Sequence, residues 1–167
     1  DQVKQLKQLG IAAVSIHSGM HHREIDITLD NCIYGNNKFL YLSPERLQTE
    51  LFQERAKKMK VCLVAIDEAH CISQWGYDFR PPYLQIAELR KIMPEVPFIA
   101  LTASATRLVK EDMISKLELK SPEVFQKSFA RDNLSFVVRK TETKEKKLLE
   151  VLRKVGGPAI VYVRSRK

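Results

Sequence analysis

Apolar residues recur along this chain at two different spacings, which predict a succession of helices and strands. Val3, Leu6 and Leu9 follow a helical spacing that Gly10 ends. By the same criteria we predict helices over residues 2–9, 21–34, 44–59, 82–93, 107–119 and 144–155, and strands over residues 11–16, 39–42, 61–66, 98–101, 124–126, 135–138 and 159–163. Regular alternation of this kind predicts an α/β fold, with a parallel sheet covered by helices on both faces.

Composition narrows the class of protein without deciding its function. The 167 residues are 44% hydrophobic, enough for one domain or for one domain and part of another. Lys and Arg outnumber Asp and Glu by 28 to 20, a balance that suits a polyanion partner but equally a generally basic soluble protein. Cys32, Cys62 and Cys71 lack paired spacing. Because Cys62 and Cys71 lie in or beside the apolar run over residues 61–66, we expect buried thiols in a reducing compartment: the cytoplasm, the nucleoid, or the nucleus of a eukaryote. No apolar run has membrane-spanning length, so we expect no membrane partner.

Two adjacent carboxylates follow the apolar run over residues 61–66. Asp67 and Glu68 would lie at the carboxyl end of a strand, where α/β sheets open into a crevice. There one carboxylate can hold Mg²⁺ through water while the other orients and deprotonates an attacking water. The alternative is a pair of ordinary surface acids, with His70 as a structural hydrogen-bonding residue. A zinc site that adds His70 and Cys71 is disfavoured because consecutive residues project in divergent directions.

The polar loop that follows carries aromatic residues at alternate positions. Trp75, Tyr77 and Phe79 alternate with polar or flexible residues, and Arg80 comes next. Aromatic side chains in such a loop suit base stacking on single-stranded nucleic acid, and the arginine can add a phosphate or cation–π contact. The same alternation is also compatible with a small core inside the loop.

Hydroxyl residues follow the next predicted strand along the chain. Thr102, Ser104 and Thr106 can connect a nucleotide site with a nucleic-acid site through hydrogen bonds, or Thr106 can cap the helix that begins at Arg107. Both roles can hold at once.

A second strand end carries Ser43 and Arg46, with Pro44 and Glu45 between them. Exposed backbone N–H groups and the Arg46 guanidinium can contact phosphate there. An N-cap with a first-turn glutamate is the structural alternative.

Taken together and in this order, the motifs resemble those of RecQ-type ATP-dependent DNA helicases of superfamily 2. The resemblance extends over nearly the whole chain. It rests on the Asp-Glu-Ala-His box with its aromatic-rich loop (residues 67–80), the Pro-Glu-Arg motif (41–47), the Thr-Ala-Ser-Ala-Thr segment (102–106), the interdomain junction (128–134) and the start of motif IV (160–166).

The resemblance implies a RecA-like motor that uses ATP and Mg²⁺ and moves 3′ to 5′ on single-stranded or partly duplex DNA during recombination and repair. It implies that Asp67 holds Mg²⁺, that Glu68 acts as the base, and that His70 couples the nucleotide to motif III. Residues implied to contact or sense DNA are Ser43, Arg46, Gln74, Trp75, Phe79, Arg80, Arg164 and Ser165; the coupling residues are Thr102, Ser104 and Thr106.

The same resemblance divides the chain into a first motor domain over residues 1–128, a junction over 129–133 and the beginning of a second motor domain over 134–167. The sequence contains no Gly-x-x-x-x-Gly-Lys-Ser/Thr loop and ends at motif IV, so we expect a fragment that lacks the nucleotide loop and the later motifs. By itself such a piece is expected to be inactive as an ATPase and to act at most as a nucleic-acid-binding module. An RNA helicase or remodelling enzyme is the other alternative for the parent protein.

Overall fold

The computed structural model describes residues 1–76, 78–128 and 131–163, which form two compact units. The first unit is Asp1–Val124 and the second begins at Phe125. The described helices of the first unit are α1 (Gln2–Gln8), α2 (His22–Tyr34), α3 (Glu50–Ala56), α4 (Leu89–Ile92) and α5 (Arg107–Lys116). Its strands are β1 (Ala13–Ile16), β2 (Phe39–Leu42), β3 (Val64–Ile66) and β4 (Phe98–Ala100). None of the helices in the described ranges is long and apolar enough to span a membrane.

The strands pair in parallel, as the alternating pattern predicts. β1 pairs with β2, and β3 pairs with β4 in the register Val64↔Phe98 to Ile66↔Ala100. Within the described part of the chain these are two separate two-stranded sheets and not one continuous sheet. The predicted α/β class with parallel strands is confirmed, and the single sheet is not observed.

One apolar core joins the helices to these strands. Ile66 of β3 packs with residues of the surrounding helices and of the first strand pair. The core members with the lowest exposure are Leu29, Ala56, Ala69, Ile72 and Leu117. Because Ala69 and Ile72 come directly after the Asp67–Glu68 pair, the core itself fixes the start of the aromatic-rich loop.

Two predicted helices differ in form from the expectation. The helix expected over residues 44–59 is divided into a 3₁₀ helix, Pro44–Gln48, and α3. Thr49 has extended backbone, and its hydroxyl accepts a hydrogen bond from Phe52 N at 3.4 Å, so the residue caps a new helix instead of continuing the old one. Residues Pro81–Glu88 are also a 3₁₀ helix, which leads into α4. Pro81 and Pro82 lie in its first turn, where backbone N–H groups have no partner within the helix.

Strand β3 is shorter than the predicted 61–66. Its ladder begins at Val64, whose N–H donates to Pro97 O at 3.0 Å. In the observed register Leu63 would face Pro97, which has no N–H to offer, and the pairing ends there.

The predicted strands over residues 124–126, 135–138 and 159–163 are wrong. The structure assigns no strand to these residues, and Phe125, Phe136 and Val138 are almost fully exposed. β-branched and aromatic residues favour extended backbone, but a strand needs a hydrogen-bonded neighbour, and within the described residues these segments have none. By contrast, the second unit contains the predicted helix over the expected residues, α6 (Lys144–Val155), which Gly156 ends in the left-handed conformation.

Candidate functional site

The backbone around β3 and β4 presents the two adjacent acids at a strand end. Leu101 N donates to Ile66 O at 2.8 Å, and Ala69 N donates to Leu101 O at 2.9 Å. Hydrogen bonds to the neighbouring strand therefore lie on both sides of Asp67 and Glu68. The two carboxylates are exposed on a rigid mount, as the sequence predicts.

Glu68 has backbone dihedrals of φ 48° and ψ 39°, in the left-handed region. A residue with a Cβ pays a steric cost of about 1 kcal/mol for this conformation. Its N–H donates to Asp67 Oδ1 at 2.9 Å, which fixes one carboxylate oxygen against the turn.

The Asp67 carboxylate suits Mg²⁺. It is exposed, it is an oxygen donor, and its second oxygen accepts no hydrogen bond from the described residues. Among the residues that the structure describes, no three His, Cys, Asp or Glu side chains converge on one point as ligands for a metal ion. The site fits a hydrated ion held mainly by water and one carboxylate.

His70 connects the Asp67–Glu68 turn with the segment after β4. Its Nδ1 lies 2.9 Å from Thr102 Oγ1 and 3.3 Å from Glu68 Oε2. The Thr102 hydroxyl donates to Ser104 O at 3.0 Å, so toward His70 it can only accept. This pattern assigns a proton to Nδ1, which lies between the threonine oxygen and the Glu68 carboxylate.

Thr106 has the capping role that was one of its two interpretations. Its hydroxyl accepts a hydrogen bond from Val109 N at 3.4 Å at the start of α5. Thr102 and Ser104, by contrast, belong to the His70 hydrogen-bond network. The structure thus separates the three hydroxyl residues into one cap and two members of the polar connection.

The aromatic-rich loop leaves its DNA-sensing candidates accessible. Trp75 is 70% exposed, Gln74 and Arg80 are exposed, and Phe79 is half-buried. Arg80 Nε and Nη2 donate to Asp78 Oδ2 at 3.1 and 2.7 Å, and this hydrogen bonding lowers the pKa of the Asp78 carboxyl. The exposure of Trp75 argues against a small core centred on that residue and leaves its ring free to stack.

Backbone contacts close this loop at its base. Arg80 N donates to Cys71 O at 2.8 Å, and Gly76 N donates to Ser73 O at 3.1 Å. At Gly76 a Cβ would lie 2.9 Å from His70 O and 3.2 Å from Ser73 O, so only glycine fits without movement of the backbone. The loop is thereby held against the residues that follow the two acids.

The Ser43–Arg46 motif lies near the loop. A hydrogen bond from the Ser43 side chain lowers the pKa of Glu45, with smaller contributions from its own backbone and from the charge of Arg80. Arg46 Nη2 donates to His17 O at 3.4 Å, and the 3₁₀ helix carrying Arg46 packs against the one that follows Arg80. Ser43 stands at the N-cap position with Glu45 in the first turn, but among the described residues its side chain makes no capping hydrogen bond to the backbone. The phosphate contact of this motif stays a prediction.

Arg164, Ser165 and Tyr77 lie outside the described residues. The roles predicted for Arg164 and Ser165 stay predictions.

Four polar residues near the site were missed by sequence reasoning. Tyr83 Oη donates to Asp67 O at 3.2 Å, and burial raises the pKa of Tyr83, which keeps the hydroxyl protonated as a donor. Ser73 bonds to Asp112, which pairs with Lys116. Of these contacts, the sequence could have suggested the Asp112–Lys116 pair, because the two residues are four positions apart on a predicted helix. Such pairs are common on helix surfaces and do not indicate a functional site.

Residues 1–112 match the family described as DEAD/DEAH box helicase. The chain belongs to the DEAD/DEAH box helicase family. The sequence predicts a narrower group within this family, the RecQ-type helicases, and similarity to individual proteins tests that prediction.

Relatives named as RecQ proteins are similar along the whole chain. "ATP-dependent DNA helicase RecQ" of Pasteurella multocida is 41% identical over 99% of this chain and 26% of its own length. The protein of the same name in Bacillus subtilis is 41% identical over 100% of this chain and 29% of its own length. "Putative ATP-dependent RNA helicase R290" of Acanthamoeba polyphaga mimivirus is 34% identical over 100% of this chain and 31% of its own length. The resemblance to RecQ-type helicases is confirmed, and the chain spans about a quarter to a third of these relatives.

Proposed function

We propose that the protein containing this chain is an ATP-dependent DNA helicase that couples hydrolysis to movement along single-stranded DNA. The observation that carries the proposal is the short polar path from Glu68 through His70 to Thr102, next to a loop that exposes Trp75. An acid at a strand end can act in hydrolysis, and an exposed tryptophan can stack on a base. The short segment over residues 69–73 connects Glu68 with the loop that carries Trp75.

Each acid takes a separate part in this proposal. The Asp67 carboxylate would hold hydrated Mg²⁺, which when bound supplies positive charge beside the phosphates. Glu68 would accept a hydrogen bond from a water molecule and take its proton as that water attacks. His70 Nδ1 donates toward both Glu68 and Thr102, so a displacement of either residue would move the imidazole ring.

The loop and the Ser43–Arg46 motif would supply the nucleic-acid contacts. Trp75 can stack on a base, while Arg80 and Arg46 can each donate to a phosphate oxygen. The formal net charge of +8 favours a polyanion in general. We assign residues 134–167 to the beginning of a second motor domain, on the resemblance described above.

RNA is the second candidate substrate. It is favoured by the 34% identity to the relative named as a putative RNA helicase and by the Ser-Ala-Thr spelling of residues 104–106. The relatives named as DNA helicases share more identity, 41% in two cases, and this supports DNA as the first candidate.

The test is ATP hydrolysis by the whole protein with single-stranded DNA, single-stranded RNA or duplex DNA of matched length. We expect stimulation by single-stranded DNA, a loss of about 100-fold or more in Glu68→Gln, and a weakened response to DNA in Trp75→Ala. Glu111→Gln, an exposed acid on α5, is the matched control for the loss of one carboxylate. Hydrolysis that depends on RNA alone would replace DNA by RNA as the substrate. Hydrolysis unchanged in Glu68→Gln would overturn the proposed role of the acids.

A further inference from the structure

Ser73 is a polar residue with no exposed surface at the start of the aromatic-rich loop. Its hydroxyl donates to Asp112 Oδ2 at 2.7 Å and accepts a hydrogen bond from Trp75 N at 3.2 Å. A buried hydroxyl used in both directions fixes its neighbours, because breaking either bond would leave a buried polar group unpaired. Through Ser73, the backbone of Trp75 is thereby connected to the carboxylate of Asp112, which lies 39 residues after Ser73 in the sequence.

The carboxylate is itself held in place on α5. Lys116 Nζ donates to Asp112 Oδ2 at 3.1 Å and to Ile72 O at 3.4 Å. The hydrogen bond from Ser73, and then Lys116, lowers the pKa of Asp112, so the group is charged at neutral pH. Asp112 and Lys116 of α5 therefore hydrogen-bond to Ser73 and Ile72, two consecutive residues at the base of the loop.

The same helix begins at the hydroxyl segment that contains Thr102 and Thr106. Thr106 caps α5, and Asp112 lies six residues further on, about 9 Å along a rigid helix. Thr102, four residues before the cap, contacts His70. A shift of the segment after β4 would thus move α5, and with it the anchor of Trp75.

We propose that Asp112 is a positioning residue that acts through Ser73 on the backbone of Trp75 and makes the ATPase response to nucleic acid depend on α5. The proposal deepens the proposed function and rests on it, since it assumes that Trp75 contacts nucleic acid. Asp112 itself touches neither nucleotide nor nucleic acid in this assignment. Its contribution is to hold the loop in the geometry from which Trp75 can stack.

The alternative is an ordinary structural tether, whose loss would loosen the whole fold. The two roles differ in what they change. A structural tether lowers unfolding temperature and basal hydrolysis together, whereas a positioning residue changes the nucleic-acid concentration needed for stimulation and leaves basal hydrolysis in place.

The experiment compares Asp112→Ala and Ser73→Ala with Glu111→Ala in the whole protein. Glu111 precedes Asp112 on the same helix and pairs with Arg107 on the surface, so its removal changes charge without touching the loop. We expect Asp112→Ala and Ser73→Ala each to raise the single-stranded DNA concentration for half-maximal ATPase stimulation about fivefold to tenfold, a loss that one charge-assisted hydrogen bond can cause. Glu111→Ala should match the wild type. The double variant should be no worse than the more severe single variant, because both changes remove the same Ser73–Asp112 hydrogen bond.

Hydrogen exchange gives a readout that does not involve ATP. The Trp75 amide donates to Ser73, so peptides covering residues 73–76 should exchange faster in Asp112→Ala and Ser73→Ala than in Glu111→Ala. If Asp112→Ala does not fold, Asp112→Asn, which keeps an acceptor oxygen for Ser73, and Ser73→Ala carry the test. Asp112→Asn should then retain more DNA response than Ser73→Ala.

Equal behaviour of Asp112→Ala and Glu111→Ala, or a parallel fall of basal rate and unfolding temperature, would overturn the positioning role. A wild-type protein that binds DNA without any stimulation of hydrolysis would overturn the proposed function, and this inference with it. The wild-type measurement therefore separates the two failures.

Discussion

The imidazole Nδ1 of His70 and the hydroxyl of Thr102 lie 2.9 Å apart, although 32 residues separate them in the sequence. One belongs to the turn after β3 and the other follows β4, and the parallel pairing of these strands brings the two residues together. The contact gives the Asp67–Glu68 turn a direct polar connection to the segment that begins α5.

Thr102→Val removes this connection while keeping the side-chain shape. We expect DNA-stimulated ATP hydrolysis to fall several-fold, because a single hydrogen bond of about 1 kcal/mol positions His70. Steady-state ATPase assays at saturating and limiting DNA measure the effect. Thr28→Val on α2 is the matched control, since among the described residues the hydroxyl of the half-buried Thr28 bonds to Glu24 O of its own helix. Equal rates in the two variants would show that the contact has no role in coupling.

Tyr83→Phe removes only the hydroxyl that donates to Asp67 O. The backbone carbonyl of Asp67 would lose its one side-chain donor among the described residues. We therefore expect the Mg²⁺ concentration for half-maximal ATPase activity to rise about twofold to fivefold. ATPase rates across a Mg²⁺ titration provide the measurement. Tyr34→Phe, on the exposed end of α2, controls for the loss of a tyrosine hydroxyl. A curve that coincides with the wild type would exclude this role for Tyr83.

Gly76→Ala tests whether the loop tolerates a Cβ at its tightest point. The added carbon would meet two backbone oxygens, His70 O and Ser73 O, which cannot rotate away as a side chain can. We expect a loss of about 1–3 kcal/mol in the free energy of unfolding, or a displaced loop that no longer responds to DNA. Denaturant unfolding and DNA titration distinguish the two. Gly19→Ala should be tolerated, because its new Cβ would contact only the flexible His17 ring at 3.4 Å.

Asp112 predicts a pH dependence whose sign follows from its lowered pKa. A carboxyl with a lower pKa in the folded state contributes stability above its unfolded pKa of about 3.9, and this contribution is lost as the pH falls through the folded pKa. The difference in free energy of unfolding between wild type and Asp112→Asn should therefore be largest near neutral pH and shrink as the pH falls below the unfolded-state pKa. Unfolding curves at several pH values measure it, with Glu111→Gln as the control. A difference that grows on acidification would contradict the assignment.

Local signals predicted the elements that depend on local chemistry. The bounds of α6 and β2 match the predictions over residues 144–155 and 39–42. In α6 a strong amphipathic pattern ends at Gly156, which takes the left-handed conformation that glycine tolerates best. Thr49 shows the limit of this reasoning, because its hydroxyl captures a backbone N–H and divides a helix whose apolar spacing looked continuous.

Elements and contacts that depend on distant partners were not predictable in the same way. The segments around Phe125 and Phe136 have strand-like composition but pair with no strand among the described residues, because pairing requires a neighbour that composition does not supply. At the site, Asp67 and Glu68 were selected because two acids follow an apolar run, and His70 was selected because of the family resemblance; their roles stay predictions. Tyr83, Ser73 and Asp112 were missed since their importance comes from contacts 16 and 39 residues away, which only the folded chain reveals.

Because Glu68 has left-handed backbone, thermal stability and the proposed catalytic role favour different residues at this position. Glycine adopts φ 48° without the steric penalty that glutamate carries, so Glu68→Gly relaxes the turn while it deletes the carboxylate. On the catalytic role proposed for Glu68, selection for thermal tolerance alone would therefore favour glycine at this position and yield folded chains without ATPase activity. A mutant library that selects for a more thermostable protein should keep Glu68 fixed and vary other positions.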